Sequence, residues 1–259
     1  MLLAVDMGNT TVNIGLFEGD RLVGSWSLST HAYATADEAH LALHALLAAH
    51  PGIACAGPVV PDDAVLSSVV PDLTDAWTVA LSRICGRRPL VVGPGVKTGL
   101  KMSCNDPGEV GSDRIADLVA AKERHGFPVI VVDMGTTTNF EVIDREGAFL
   151  GGVVAPGLEI AARAMSREAA RLPVVDLHVP KSVIGKNTRE AMRSGMVLGE
   201  AARAAGIVEM IWRELGYETK VVATGEAAQA IAAVCPRISC VDADLTLHGL
   251  ALIHARSRK

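Results

Sequence analysis

LLAVDMGNT at Leu2–Thr10 and VIVVDMGTT at Val129–Thr137 decide how this chain is read. Each is an apolar run of strand length that ends on Asp-Met-Gly and passes into hydroxyl and amide residues. A second apolar stretch follows each time, Val12–Phe17 after the first and Asn139–Ile143 after the second. Val12, Ile14 and Leu16 alternate with Asn13 and Gly15, the period of a half-buried strand. A strand–turn–strand unit used twice points to two similar lobes facing each other across a cleft.

Working outward, Arg21–Ser29 reads as a third strand after the Glu18-Gly19-Asp20 turn, and Thr35–His50 as a helix closed by Pro51-Gly52. Ala64–Val70 and Leu90–Val92 are further strands. Asp106 can cap a helix with Pro107 at its first position and Glu109 three residues after the cap, running to about Arg124 and stopped by Gly126. Ala148–Val154 is a strand, followed by helices at about Leu158–Arg171 and Asn187–Leu215. A strand at Lys220–Ala223 and a helix from about Leu245 complete the pattern, with no low-complexity tract or linker. Gly195 and Gly199, four apart in the long helix, read as close helix packing in a soluble protein.

The 259 residues are 49% hydrophobic and 20% charged, which supports a sizeable core and excludes a disordered chain. The balance of 24 basic and 29 acidic residues gives a net charge of −5, so nothing draws the whole chain to nucleic acid. Five cysteines form no disulfide framework, and an odd count suits a reducing compartment. No basic stretch precedes a long apolar run at the N-terminus, so no signal peptide is expected. The longest stretch free of Asp, Glu, Lys and Arg, Ala39–Pro61, is interrupted by His40, His44, His50, Pro51, Gly52, Gly57 and Pro58. That pattern is foreign to hydrocarbon, and a soluble, cytoplasmic protein is expected, with no membrane and no nucleic-acid partner.

The repeated turn carries chemistry. Glycine lets the backbone turn sharply and approach a ligand, while backbone N–H groups and the hydroxyls of Thr10, Thr11, Thr136, Thr137 and Thr138 can donate to phosphate oxygens. Asp6 and Asp133 meet a phosphate only across a cation or a water shell. GPGVKTG at Gly93–Gly99 lacks the Walker spacing, and no G-x-G-x-x-G follows a strand. GGVVAPG at Gly151–Gly157 is a second place where backbone can approach a ligand. GSDR at Gly111–Arg114 sets a carboxylate that can take a proton beside a guanidinium that can hold a carboxylate, just inside the expected helix. His40 and His44 have helical ligand spacing but no third ligand, and Cys235 and Cys240 lack a second pair, so neither reads as a zinc site.

Together these pieces resemble the type III pantothenate kinases of the acetate and sugar kinase, heat-shock chaperone and actin superfamily. The matching segments are DMGNT at Asp6–Thr10, EVGSDR at Glu109–Arg114, VDMGTTTNF at Val132–Phe140, GGVVAPG at Gly151–Gly157 and IGKNTREAMRSG at Ile184–Gly195. VVATGE at Val221–Glu226 and DLTLHGL at Asp244–Leu250 complete the set, in the family's order. The resemblance implies an α/β fold of two actin-like (ribonuclease H-like) lobes with mixed sheets and flanking helices, ATP bound between them. It places the lobes at about 1–115 and 116–259, with the last helix packing back on the first.

The activity so implied is ATP-dependent phosphorylation of pantothenate to 4′-phosphopantothenate, the first step of coenzyme A biosynthesis. Asp113 would be the general base, with Gly111, Ser112, Arg114 and Thr188 as substrate contacts. Asp6, Met7, Gly8, Asn9, Thr10, Thr11, Val12 and Asn13 would form the first ATP phosphate loop, and Thr136 would touch ATP in the second. Asp133 would hold a monovalent cation, K⁺ or NH₄⁺, alongside the Mg²⁺ that accompanies ATP. The family is typically homodimeric. The small-residue face at Gly195, Gly199 and Gly206 is the expected helix contact. The chain departs from the family at Cys104, where a substrate-contacting Tyr is usual, at Thr137–Asn139, and at Glu226 in place of a second Gly. Two other readings use the same fold: a non-catalytic nucleotide-binding regulator, since members are described as accessory factors for transcription, and a kinase for another small alcohol.

Overall fold

The computed structural model describes residues 1–50, 59–169 and 172–258. Pro51-Gly52, the expected stop of the first helix, and Arg171, the expected end of the helix from Leu158, lie outside them. Two compact units divide the chain: Met1–Gly99 with Asp106–Ala120 and Leu245–Lys259, and Leu100–Asn105 with Ala121–Asp244.

In the first unit, β1 (Leu2–Met7) pairs antiparallel with β2 (Thr11–Glu18), which pairs with β3 (Arg21–Ser29). On its other edge β1 runs parallel to β4 (Asp63–Ser68), followed by β5 (Leu90–Val91). The sheet order is therefore β3-β2-β1-β4-β5. Leu3, Val5 and Met7 of β1 are fully buried because a central strand is covered on both faces. Helix α1 (Ala36–Ala48) opens on a capping box in which Thr35 and Glu38 satisfy each other's backbone N–H groups. Helix α2 (Pro71–Cys85) starts on Pro71 and ends at Gly86, whose φ of 68° only glycine adopts freely. The apolar face of α2, with Leu73, Trp77, Ala80 and Leu81, joins Leu43 and Leu47 of α1 in the core beneath β1.

The second unit repeats the plan. Its sheet reads β11-β10-β7-β8-β9-β6, with β6 (Lys101–Met102), β7 (Val129–Met134), β8 (Thr137–Ile143), β9 (Ala148–Pro156), β10 (Lys220–Thr224) and β11 (Cys240–Val241). Strands β9, β8, β7, β10 and β11 correspond in order and direction to β3, β2, β1, β4 and β5; β6 is added beyond β9. Its core gathers Ile130, Val132, Phe140, Val197 and Val208 with α4 (Leu158–Glu168), α5 (Thr188–Leu215) and α6 (Ala228–Ala232). Both sheets are mixed and flanked by helices, the α/β class expected. The last helix, α7 (Leu245–Ser257), belongs to the first unit, where Gly249 packs on Ala116 so closely that a Cβ would stand 1.9 Å from the carbonyl oxygen.

Four local expectations need correction. The helix expected from Pro107 begins at Ser112: Asp106 accepts from Gly108 N–H at 2.8 Å, a single 3₁₀ turn covers Pro107–Glu109, and extended Val110 ends it before α3 (Ser112–His125). The strand expected to Val70 stops at Ser68, because Val70 N–H turns to the Ser68 hydroxyl at 3.2 Å and Pro71 starts α2. The fourth long helix ends at Glu168. Gly195 and Gly199 do not pack closely within their own unit, since a Cβ on either would meet nothing within 4 Å among the described residues. Among the described residues no helix is long and apolar enough to cross a membrane.

Candidate active site

In the first unit the candidate residues collect at the C-terminal ends of β1 and β4. The parallel register sets Asp6 beside Ser67, and the antiparallel one sets Asp6 opposite Asn13. The turn between β1 and β2 is closed by Gly8 N–H donating to the Thr11 carbonyl at 2.9 Å. It is tied to the end of β3 by Thr30, whose hydroxyl donates to the Gly8 carbonyl at 2.7 Å and whose N–H donates to the Thr10 carbonyl at 2.8 Å. Met7 and Val12 point into the core, while Asn9 and Thr10 are exposed at the turn. Asn13 is held through its side-chain oxygen by the Ser27 hydroxyl at 2.9 Å. The expected loop thus divides into two anchors and an open tip.

Helix α3 begins here as well. Gly111 accepts the first helical hydrogen bond from Ile115 N–H at 3.0 Å, and Asp113 lies in the first turn, where a carboxylate is favoured by the helix dipole. Asp113 Oδ1 accepts from Arg114 N–H at 2.8 Å. Gly111 has no room for a side chain, since a Cβ would stand 2.4 Å from Asp113 Oδ1. Ser112 is buried, and its hydroxyl lies 2.9 Å from that of Ser67 and 3.2 Å from Ser68 N–H.

Asp6 carries the electrostatic signature of the site. Burial and then the Asp113 carboxylate push its pKa up to about 7, against the opposing hydrogen bond from Ser67. Its Oδ1 has no hydrogen-bond partner among the described residues. A buried carboxylate oxygen left open beside a second carboxylate is a donor set suited to a hard cation such as Mg²⁺. No cluster of three or more His, Cys, Asp or Glu suited to a metal exists among the described residues, so phosphate or water oxygens would complete the shell.

The second unit holds Asp133, Thr136, Thr188 and Cys104. Asp133 has the place in β7 that Asp6 has in β1, opposite Asn139 and parallel to Thr224. Gly135 N–H donates to the Thr137 carbonyl at 3.1 Å, closing the second turn. Gly157 N–H donates to the Thr136 carbonyl at 3.2 Å, and a Cβ on Gly157 would stand 2.4 Å from that same oxygen. Thr188 is exposed in the first turn of α5, where Asn187 caps by accepting from Glu190 N–H at 3.0 Å. Cys104 is half-buried just after β6. The structure therefore joins Asp6, Gly111, Ser112 and Asp113 in one unit and Asp133, Thr136 and Gly157 in the other.

Two further polar residues near these positions leave little trace in the sequence. Ser67 becomes visible only once β4 is paired with β1. Glu200 of α5, buried, accepts from the Thr138 hydroxyl at 2.8 Å and pairs with Arg203, which donates to the Pro156 carbonyl at 2.6 Å. A hydroxyl pair ending a strand, and an acidic residue at helical spacing from the apolar Met196, Val197 and Ala204, are the only signals either leaves in the sequence.

The fold is that of the actin-like kinases. A ROK hexokinase from Thermus thermophilus matches with a TM-score of 0.51 at 17% identity, over 97% of each chain. A protein described as a Baf family transcriptional activator from Campylobacter jejuni matches with a TM-score of 0.60 at 18% identity, over 99% of this chain and 98% of its own. At such identities the likeness speaks for the fold alone. The family model for type III pantothenate kinase matches residues 2–211. The type III pantothenate kinase of Thermomicrobium roseum is 44% identical over 100% of this chain and 98% of its own length. The chain belongs to the type III pantothenate kinase family, whose activity is ATP-dependent phosphorylation of pantothenate. The regulator reading is not favoured by these matches.

Proposed function

We propose that this chain transfers the γ-phosphoryl group of ATP to the hydroxyl of pantothenate with Asp113 as the general base. The observation that carries the reading is the convergence of Asp113, at the start of α3, on the buried Asp6 carboxyl at the end of β1. Phosphoryl transfer needs little covalent help from a protein, so positioning and charge neutralisation are the parts to expect. The open oxygen of Asp6 would hold Mg²⁺ or a water of its shell, and the ion would supply neutralisation of the phosphate charge.

The Gly8–Thr11 turn offers backbone N–H groups and hydroxyls to the phosphates, with Thr136 doing the same in the second unit. A carboxylate is a weak base for an alcohol, so Asp113 takes the proton late, after the loose transition state has acidified the attacking oxygen. Arg114 fits the pantothenate carboxylate as a bidentate donor, and Gly111, Ser112, Thr188 and Cys104 are the further acceptor contacts that the family resemblance implies. Asp133, against whose carboxylate the backbone of Gly225 is packed, supplies hard oxygen suited to K⁺ or NH₄⁺. The lobes correspond to the two units, the protein works in the cytoplasm, and a homodimer forms through the open glycine face of α5.

ADP release by the purified protein with ATP, Mg²⁺ and pantothenate, in K⁺ and then in Na⁺ alone, tests the reading. Pantothenate-dependent turnover that needs K⁺ is the expected result. Nucleotide binding without turnover in either K⁺ or NH₄⁺ overturns it and returns the regulator, or another alcohol, to first place.

A further inference from the structure

Ser67 has a setting that no part of the proposed chemistry explains. It is fully buried at the penultimate position of β4, level with Asp6 in the parallel register. Its hydroxyl donates to the Asp6 carboxylate and lies 2.9 Å from the Ser112 hydroxyl, at the first residue of α3. The Ser112 hydroxyl in turn accepts from Ser68 N–H at 3.2 Å. With Asp6 ionised the Ser67 proton goes to Asp6, and the Ser112 hydroxyl, which accepts from Ser68 N–H, donates to Ser67 at 2.9 Å in preference to the Ser68 carbonyl at 3.4 Å. Three chain segments that are far apart in sequence are joined by this run of hydrogen bonds. Asp113 follows Ser112 directly, and Val69 lies 3.6 Å from where a Gly111 Cβ would stand, so the start of α3 has little freedom.

We propose that Ser67 is a positioning residue: through Ser112 it latches the first turn of α3 to the ends of β1 and β4, and so sets Asp113 against Asp6. The inference rests on the kinase reading for its effect on rate, though the latch itself does not. It also reassigns the Ser112 hydroxyl, which faces β4 and not the acceptor. Any contact of Ser112 with pantothenate then falls to its backbone N–H.

The test compares wild type with Ser67→Ala, Ser112→Ala and the double variant, in two measurements. Hydrogen exchange over residues 111–115 is expected to quicken in both single variants, and more in Ser112→Ala, which also gives up the bond from Ser68 N–H. Unchanged exchange overturns the latch whether or not the wild-type chain turns over. In steady-state kinetics each single variant is expected to lose about tenfold in kcat, the equivalent of one buried hydrogen bond, with both KM values near wild type. The double variant is expected to match Ser112→Ala, because that change already removes every bond the Ser112 hydroxyl makes. A raised pantothenate KM in Ser112→Ala that multiplies with Ser67→Ala would give the hydroxyl to the substrate and overturn the proposal. If Ser67→Ala does not fold, Ser112→Ala alone decides between a loss in kcat and a rise in KM. Wild-type protein without turnover would defeat the kinase reading, and the exchange data would then decide the latch alone.

Discussion

The backbone of Gly225 lies against the Asp133 carboxylate so closely that a Cβ would stand 2.6 Å from Oδ1, and 2.7 Å from the Met134 carbonyl carbon. With φ at +91°, Gly225 also occupies backbone space that a side chain resists. Gly225→Ala therefore combines backbone strain with a collision that displaces Asp133. A loss of about 2–4 kcal/mol in unfolding free energy is expected, read from urea denaturation. A midpoint equal to wild type would show that the chain yields at Gly225 without cost and that Asp133 does not depend on this contact.

Asp113→Asn keeps the shape of the first turn of α3 but removes the proton acceptor. Turnover is expected to fall by about 10²–10⁴, the usual worth of a positioned general base, while ATP affinity stays near wild type. ADP release and calorimetric ATP titration check the two halves separately. Parallel loss of ATP binding would place Asp113 in nucleotide binding instead.

The legible part of this chain was the part repeated in it. Two Asp-Met-Gly turns between apolar strands announced two equivalent sheets, and the structure pairs Asp6 with Asn13 and Asp133 with Asn139 in the same way. Period and punctuation also placed β3, α1, α5 and α7 to within a few residues. Helix α2 was hidden because LSSVV reads as continuous strand into Pro71, and only the Ser68 hydroxyl bonding to Val70 N–H shows where the chain turns. The start of α3 was misplaced because Asp106-Pro107 is a sound cap that here closes one 3₁₀ turn. Ser67 and Glu200 act through neighbours distant in sequence, so their parts depend on strand pairing and helix docking, which a local pattern does not encode.

Glu200 illustrates the cost of such hidden partners. It is buried on α5, accepting from Thr138 and paired with Arg203. Arg203 in turn holds the Pro156 carbonyl at the end of β9. Glu200→Ala would leave that guanidinium, half-buried, without its anion and the Thr138 hydroxyl without its acceptor. A destabilisation of about 3–5 kcal/mol is expected, with Glu200→Gln losing less because the amide oxygen still accepts. Urea midpoints for the two variants should fall in that order, and equal midpoints would mean that volume, not charge, is what α5 needs there.

Asp6 makes the ligand-free protein less stable as pH rises, opposite in sign to a salt-bridged carboxylate. Burial and the Asp113 carboxylate raise its pKa from an ordinary 3.8 to about 7, with the Ser67 hydrogen bond pulling the other way. Between those values the folded chain still holds a proton that the unfolded chain has released, so unfolding free energy declines across that window and levels off above it. Asp6→Asn removes the ionisation. The variant should match wild type below about pH 4 and exceed it above pH 7 by on the order of 4 kcal/mol, measured by urea denaturation without nucleotide. The same substitution removes the oxygen left open for the cation, so activity should be lost where stability is gained. A variant no more stable than wild type at alkaline pH would mean that water or a bound ion already relieves the Asp6 charge in the ligand-free protein.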